Sequence, residues 1–345
     1  MALTQVQPGM LGTPQPYNFK NRIINGPMTV SQRNGTASAT FPSDTYTLDR
    51  WFASGYGTGS NSATVQQLSA SPPTGFTNYL QVASGSTSAT NIFLSQSIET
   101  LNCAGLAGQN VTVSFWYKIP VNWTNQWQVS LTWSTSADTA VKNSATGNGS
   151  GSFSWGSGVT QNTTLANTST WTKASFTYAV PSNAQTIGVC FTNGFSNTVN
   201  GAQFQLAGVQ LELGATATDF DYRPYGTELA LCQRYFQRIT PGTGRPFSGS
   251  ITQNSTAWCQ FPTKATMRIA PSVTDSNPTL VTVSPGGNNV AVYFGGYVSF
   301  SGITYQSTGP DFFNFAPNGI ATVTNGQGVT IDTGPNFYIN LSSEL

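Results

Sequence analysis

Asp219 and Asp221 flank Phe220 in the run ATDFDYRP. In an extended chain, side chains two apart point to the same side, so both carboxylates would address one locale. Carboxylates joined by main-chain oxygens are what a hard cation such as calcium takes. The same placement suits pairing with Arg223, or with Arg22 and Arg50 of the opening segment, and both readings stand. Other acid–base chemistry is scarce. The chain contains no histidine, which removes Ser-His-Asp and Cys-His catalysis and the commonest metal ligand. A glycoside hydrolase would need two carboxylates facing one another, whereas most of the 12 acids here fall in turns or at strand ends. A protein that is not an enzyme and uses no cofactor is expected.

The four cysteines, Cys103, Cys190, Cys232 and Cys259, are far apart and lack the paired spacing of a zinc site. They read as small buried hydrophobes. The tryptophans are more informative. Trp123 and Trp127 in VNWTNQWQ, and Trp155 in GSFSWGSG, stand in polar runs rather than apolar segments. A planar indole stacks on the apolar face of a pyranose while nearby Asn, Gln and Ser bond its hydroxyls, so these loops are candidate glycan contacts. Buried between subunits, the same three would anchor an oligomer interface. Trp51 and Trp116 lie in strand patterns and are assigned to the core.

Strands must position these residues. VTVSFWYKI alternates Val111, Val113, Phe115 and Tyr117 against polar neighbours, and QVSLTW, ASFTYAV and IGVCF repeat the period of two. In FQLAGVQLEL the alternation changes phase at Ala207-Gly208, which predicts a β-bulge. After the corner Arg223-Pro224-Tyr225-Gly226, Leu229, Cys232, Tyr235, Phe236 and Ile239 recur at spacings of three and four, predicting an amphipathic helix over 227–240 that Pro241-Gly242 ends. Arg234 and Arg238 fall on its polar side, able to bond a neighbour's oxygens. With Tyr235 and Phe236 they are candidate assembly residues. Three such helices would form a short bundle, or the apolar stripe would pack under the chain's own second domain.

Four segments follow: an extended arm at 1–16 marked by Pro8, Pro14 and Pro16, a β-sandwich at 17–226, the helix at 227–240, and a smaller antiparallel β domain at 241–345. The fold class is all-β. Only 7% of residues are charged, with 13 Lys+Arg against 12 Asp+Glu, so no net field attracts nucleic acid. Near-zero net charge gives little repulsion against self-association. The first residues show no basic, apolar leader pattern and no apolar run reaches transmembrane length, so synthesis in a cytoplasm without membrane insertion is expected.

The strings NFKNRIINGPMTVSQRNG, TLDRWF, SFWYK and GVQLELGATATDFDYRPYGTELALCQRYFQR, in that order over residues 17–240, together resemble structural proteins of tailed bacteriophages of the tail-fibre type. The sandwich also resembles the jelly rolls of carbohydrate-binding modules, with an opening strand at Asn25-Gly26 and a closing QLE strand. Residues 241–345 resemble the C-terminal halves of such phage proteins more loosely, in MRIAPSV and the terminal SSEL. The resemblance implies a jelly roll, a virion location after synthesis in the host bacterium, and a homotrimer. It also implies an N-terminal arm gripping other phage tail or capsid proteins, and adhesion to host-surface polysaccharide. A capsid decoration or head-fibre protein and a polysaccharide depolymerase are the competing readings. Jelly-roll carbohydrate modules often hold a structural calcium near their joined termini, which at Asp219 and Asp221 is the cation reading given above.

Overall fold

A computed structural model describes residues 20–40, 45–56, 62–88, 91–141, 144–145, 153–154, 158–193, 198–240, 244–251, 256–275, 290–293, 297–298, 302–306, 309–320, 326–334 and 336–345. The arm at 1–16 lies outside the described residues. The chain divides into two compact units, the first ending at Pro224 and the second running from Tyr225 to Glu344.

The first unit is a jelly-roll β-sandwich. Its strands are β1 (Ala39–Thr40), β2 (Thr45–Tyr46), β3 (Phe52–Tyr56), β4 (Thr64–Leu68), β5 (Tyr79–Ala83), β6 (Asn91–Ile98) and, after a single helical turn at Thr100–Cys103, β7 (Asn110–Val121). There follow β8 (Gln128–Ser134), β9 (Ser144–Ala145), β10 (Phe153–Ser154), β11 (Gly158–Thr164), β12 (Thr172–Ala179), β13 (Thr186–Thr192) and β14 (Gln203–Leu213). Sheet A runs β1-β4-β5-β14-β7-β12 and sheet B runs β11-β8-β13-β6-β3-β2. The core lies between them. Val111, Val113, Phe115 and Tyr117 of β7 face Val129, Leu131, Ile187, Val189 and Phe191 from sheet B, all buried as the period-two pattern predicts. Trp127 stacks on Phe204 with centroids 3.9 Å apart, and Phe191 meets Phe115 edge-on at 4.9 Å.

Residues 21–30 form no strand, and Asn25-Gly26 is a turn rather than an opening strand. Asn25 has φ of 57°, a left-handed conformation that asparagine tolerates better than most residues. Ile23 and Met28 of this segment belong to the core, so its peptide groups need partners away from water. Side chains supply them. Gln96, pointing inward from β6, accepts from Ile24 N and donates to Ile24 O at 2.8 Å each. Gln67, inward from β4, donates to Met28 O at 2.6 Å. The Asn25 amide closes the loop on Val30 N and Val30 O and reaches Asp49 O. Trp51 Nε1 donates to Asn25 O at 3.1 Å. Asn21 bonds Val209 O and accepts from Leu211 N, tying the segment to β14. The DRW motif serves the same network, with Asp49 accepting from Gln32 and Arg50 donating to Ser97 O.

The predicted bulge is present. The register of β14 against β7 shifts between Ala207 and Gln210, and Gly208 has φ of 59°. A Cβ there would stand 2.4 Å from Phe76 Cζ, so the position needs glycine both for its backbone and for the ring packed on it.

In the second unit the helix is shorter than its stripe predicts, covering Tyr225–Gln233, while Phe236–Ile239 is a strand. The strand pairs with Ile339–Ser342, which also pairs with Ser272–Asp275. A tertiary partner for the backbone of Phe236, Gln237 and Ile239 outweighs the helical continuation, and aromatic and β-branched residues favour the strand. A second sheet of seven strands, including Gly244–Ile251, Ala257–Pro262 and Gly328–Thr333, completes an antiparallel β unit with its own core of Phe247, Cys259, Phe313, Ile331 and Leu341.

Replacing Asn25 with Ala removes three side-chain bonds to buried backbone and places alanine at a left-handed φ. The expected loss of stability is at least about 3 kcal/mol. Urea unfolding of the full chain measures it, and a loss under about 1 kcal/mol would show that the opening segment does not depend on this network.

Candidate functional site

Trp123 and Trp127 are not exposed loop residues. They are 4% and 0% accessible, 5.3 Å apart in edge contact, and part of the sandwich core. The polar letters around them misled the reading, because a loop that folds back onto the core buries its aromatic rings whatever its neighbours are. Neither can stack on a sugar, and neither waits for another subunit. Trp155 lies outside the described residues. Trp116, assigned to the core from its strand pattern, is half-buried on the opposite face of β7.

Of the acidic pair, Asp221 is engaged through its carboxylate and Asp219 through its main-chain oxygen, while the Asp219 side chain is exposed. Asp221 Oδ2 accepts from Lys20 N and Asn21 N at 3.1 and 3.2 Å, and Asp219 O accepts from Lys20 Nζ and Gln210 Nε2. Arg223 donates to Ile23 O and Asn21 O. The arginine thus serves the opening backbone, while Asp221 takes main-chain donors. Among the described residues no group of three or more Cys, Asp or Glu side chains could hold a metal ion.

The proposed assembly residues are packed within the second unit. Tyr235 and Phe236 are buried. Arg234 O accepts from Arg268 N and Ser343 Oγ. Arg238 Nε donates to Asn340 Oδ1 at 2.9 Å and its guanidinium lies 4.1 Å over the Tyr338 ring. The cysteines are buried thiols, and burial pushes those of Cys103, Cys190 and Cys259 up to about 12, which leaves them unreactive.

The outer face of sheet A brings together residues that sequence reasoning did not single out. Cross-strand pairing places Gln66 opposite Gln81, Gln81 opposite Gln205, and Gln205 opposite Lys118. All four point away from the core, because their neighbours Val65, Val82, Phe204, Leu206 and Tyr117 point into it. A row of amides ending in an ammonium therefore crosses β4, β5, β14 and β7, about 14 Å over three strand spacings. Gln205 is itself buried, and its Nε2 donates to Gln81 Oε1 at 2.8 Å, which orients the half-buried Gln81 amide and leaves Gln81 Nε2 to bond a hydroxyl. The next row holds Leu68 opposite Tyr79 and Ala207 opposite Trp116, with Lys173 across from Trp116.

Trp171 precedes β12, yet its ring lies 5.3 Å edge-on from Tyr79 of β5, with β7 and β14 between those strands. Its side chain therefore arches over the face. Trp171 Nε1 donates to Ser71 O at 2.9 Å, which holds it there. Past the Gly208 bulge the same face is closed by the chain. Phe76, Phe220 and Tyr222 cluster at 4.8 to 5.5 Å, and Thr218 bonds Glu212. The open part lies on the Gln203 side of the bulge. The signal in the sequence was glutamine at alternate strand positions, Gln66, Gln81, Gln203 and Gln205, on strands with apolar partners on the other face.

No family model matches this chain, and no curated protein matches it. Similar solved structures include a bacteriophage CBA120 tailspike protein 4 enzymatically active domain, at 17% identity and a TM-score of 0.37 over 56% of this chain. The match spans 22% of that tailspike chain. A putative sugar binding protein from Bacteroides thetaiotaomicron matches at 15% identity and a TM-score of 0.35, over 56% of this chain and 100% of the other. TmCBM61, solved with β-1,4-galactotriose, matches at 13% identity and a TM-score of 0.32, over 56% and 99%. None of these similarities assigns a role to a residue here.

The two tryptophan environments predict different costs. Trp127→Ala should destabilise the full chain by about 3–5 kcal/mol, as for a buried aromatic, and Trp116→Ala by about 1 kcal/mol or less. Guanidinium unfolding compares them, and equal losses would contradict the assignment of Trp116 to an accessible face.

Proposed function

We propose that the first unit binds a polysaccharide along the outer face of sheet A, between the amide row Gln66-Gln81-Gln205 and the tryptophans Trp116 and Trp171. The observation that carries this reading is the juxtaposition itself. Half-exposed indoles beside side-chain amides with spare donors and acceptors suit sugars, whose rings have apolar faces and hydroxyl edges. A flat, elongated face of this kind takes a chain of sugars rather than a small molecule in a pocket, and gives modest affinity per site.

The ordered motifs that resemble tail-fibre-type phage proteins support a wider reading, in which the chain is a virion appendage that adheres to host-surface glycan. In a homotrimer, three weak sites on one rigid body would act by avidity, since a second contact becomes intramolecular once the first is made. Adhesion needs no bond to be broken, and the buried, hydrogen-bonded state of Asp49 and Glu212, with Asp221 half-buried and bonded to main-chain donors, fits a binding role better than hydrolysis.

Glycan-array screening of the full chain, followed by titration of the best ligand, tests the site. Trp116→Ala should weaken binding by about tenfold, the loss of one stacked ring. Unchanged affinity in Trp116→Ala and in Gln81→Ala would remove the sugar site from this face.

A further inference from the structure

Sheet A's outer face is charged as well as polar. Lys173 stands across from Trp116, and Lys118 lies two residues along β7 on the same side, so the two lysine positions neighbour one tryptophan on this face. The chain has five lysines, Lys20, Lys118, Lys142, Lys173 and Lys264, and two of them converge here. Among the described residues neither the Lys118 nor the Lys173 side chain makes a hydrogen bond or ion pair. The one carboxylate on the strands of sheet A, Glu212, lies about 20 Å further along β7, at the level of Thr112. It is already bonded to Thr218 and Gln210.

Like charges at diagonal cross-strand positions, about 7–8 Å apart, repel. An anion seated between them relieves that repulsion and gains two charge-assisted hydrogen bonds. Resting on the reading of this face as a sugar site, we infer that its ligand is an acidic polysaccharide, one whose sugars carry carboxylates. A pyranose stacked on Trp116 presents its ring substituents outward in the plane of the ring, toward Lys118 on one side and Lys173 on the other. The Gln81 amide, oriented by the buried Gln205, then meets a hydroxyl of the next sugar along the row. With both neighbours of Trp116 cationic, a neutral chain would leave the ammonium groups without a partner, so the pair favours uronate-containing chains over neutral ones.

Isothermal titration of the full chain with oligoglucuronate, oligogalacturonate and oligomannuronate, each beside its carboxyl-reduced neutral counterpart, tests the inference. The acidic form of the ligand that binds should bind about tenfold more tightly than its neutral counterpart at 50 mM salt, and the margin should shrink at 500 mM salt as the charges are screened. Lys118→Gln and Lys173→Gln should each reduce acidic binding about two- to fivefold and lower the ratio of acidic to neutral affinity. Equal affinity for the acidic and neutral forms, or acidic binding unaltered in the double lysine variant, would overturn the acidic preference while leaving a sugar site in place. Binding to none of the six probes would also overturn it. If a wider neutral array still finds a ligand that depends on Trp116, the sugar site survives; if none does, the sugar site falls with it.

Discussion

A stretch of chain without regular secondary structure is buried in a β-sandwich, and the rest of the first unit is arranged to satisfy it. Ile23 and Met28 lie in the apolar interior, so the peptides around them have no water to bond. The sandwich answers with amides at positions that should be apolar, Gln67 and Gln96, and with Asn21 and Asn25 in the segment itself. Asp221 and Arg223, from just before the unit's end, complete the set by bonding the backbone of residues 20–23. The two ends of the unit are thereby fastened together, which explains why motifs so far apart in sequence as RIINGPM, TLDRWF and DFDYRP are rich in Asn, Asp and Arg.

The bulge at Gly208 is the second organising feature. The extra residue lets Val209 and Leu211 return to the core after Phe204 and Leu206, and it leaves a glycine over which Phe76 can close. Beyond it the chain's own aromatic residues seal the outer face of sheet A. On the near side the face stays open, and there the amide row, Trp116 and the two lysines stand. One backbone irregularity therefore separates a covered half from an accessible one.

The second unit joins its recognisable strings in a comparable way. Arg268, from MRIAPSV, donates to Ser343 O and Glu344 O, while Ser272–Asp275 pairs with Ile339–Ser342. Ser343 N in turn donates to Tyr235 O, just after the helix. These three segments form one element in space, with the arginine fork bonding carbonyls at the chain's end.

The all-β class was legible in the sequence because a strand writes itself in a period of two, and Val111 to Tyr117 or Ile187 to Phe191 face the core as their spacing requires. The bulge was legible too, since a phase slip at a glycine has few other physical meanings. The same period sets Trp116 on the face opposite Tyr117, so assigning it to the core went against the spacing. What the letters did not decide was how far that second face is covered, and the folded sheet leaves Trp116 half-buried on it. Loop residues were equally undetermined, because Trp123 and Trp127 are buried by a loop that folds back, a contact between residues remote in sequence. The helix at Tyr225 was visible, yet its end was set by a strand more than a hundred residues away that captured Phe236–Ile239. Local periodicity is a property of neighbouring residues, whereas a binding face is made by strands that meet only after folding.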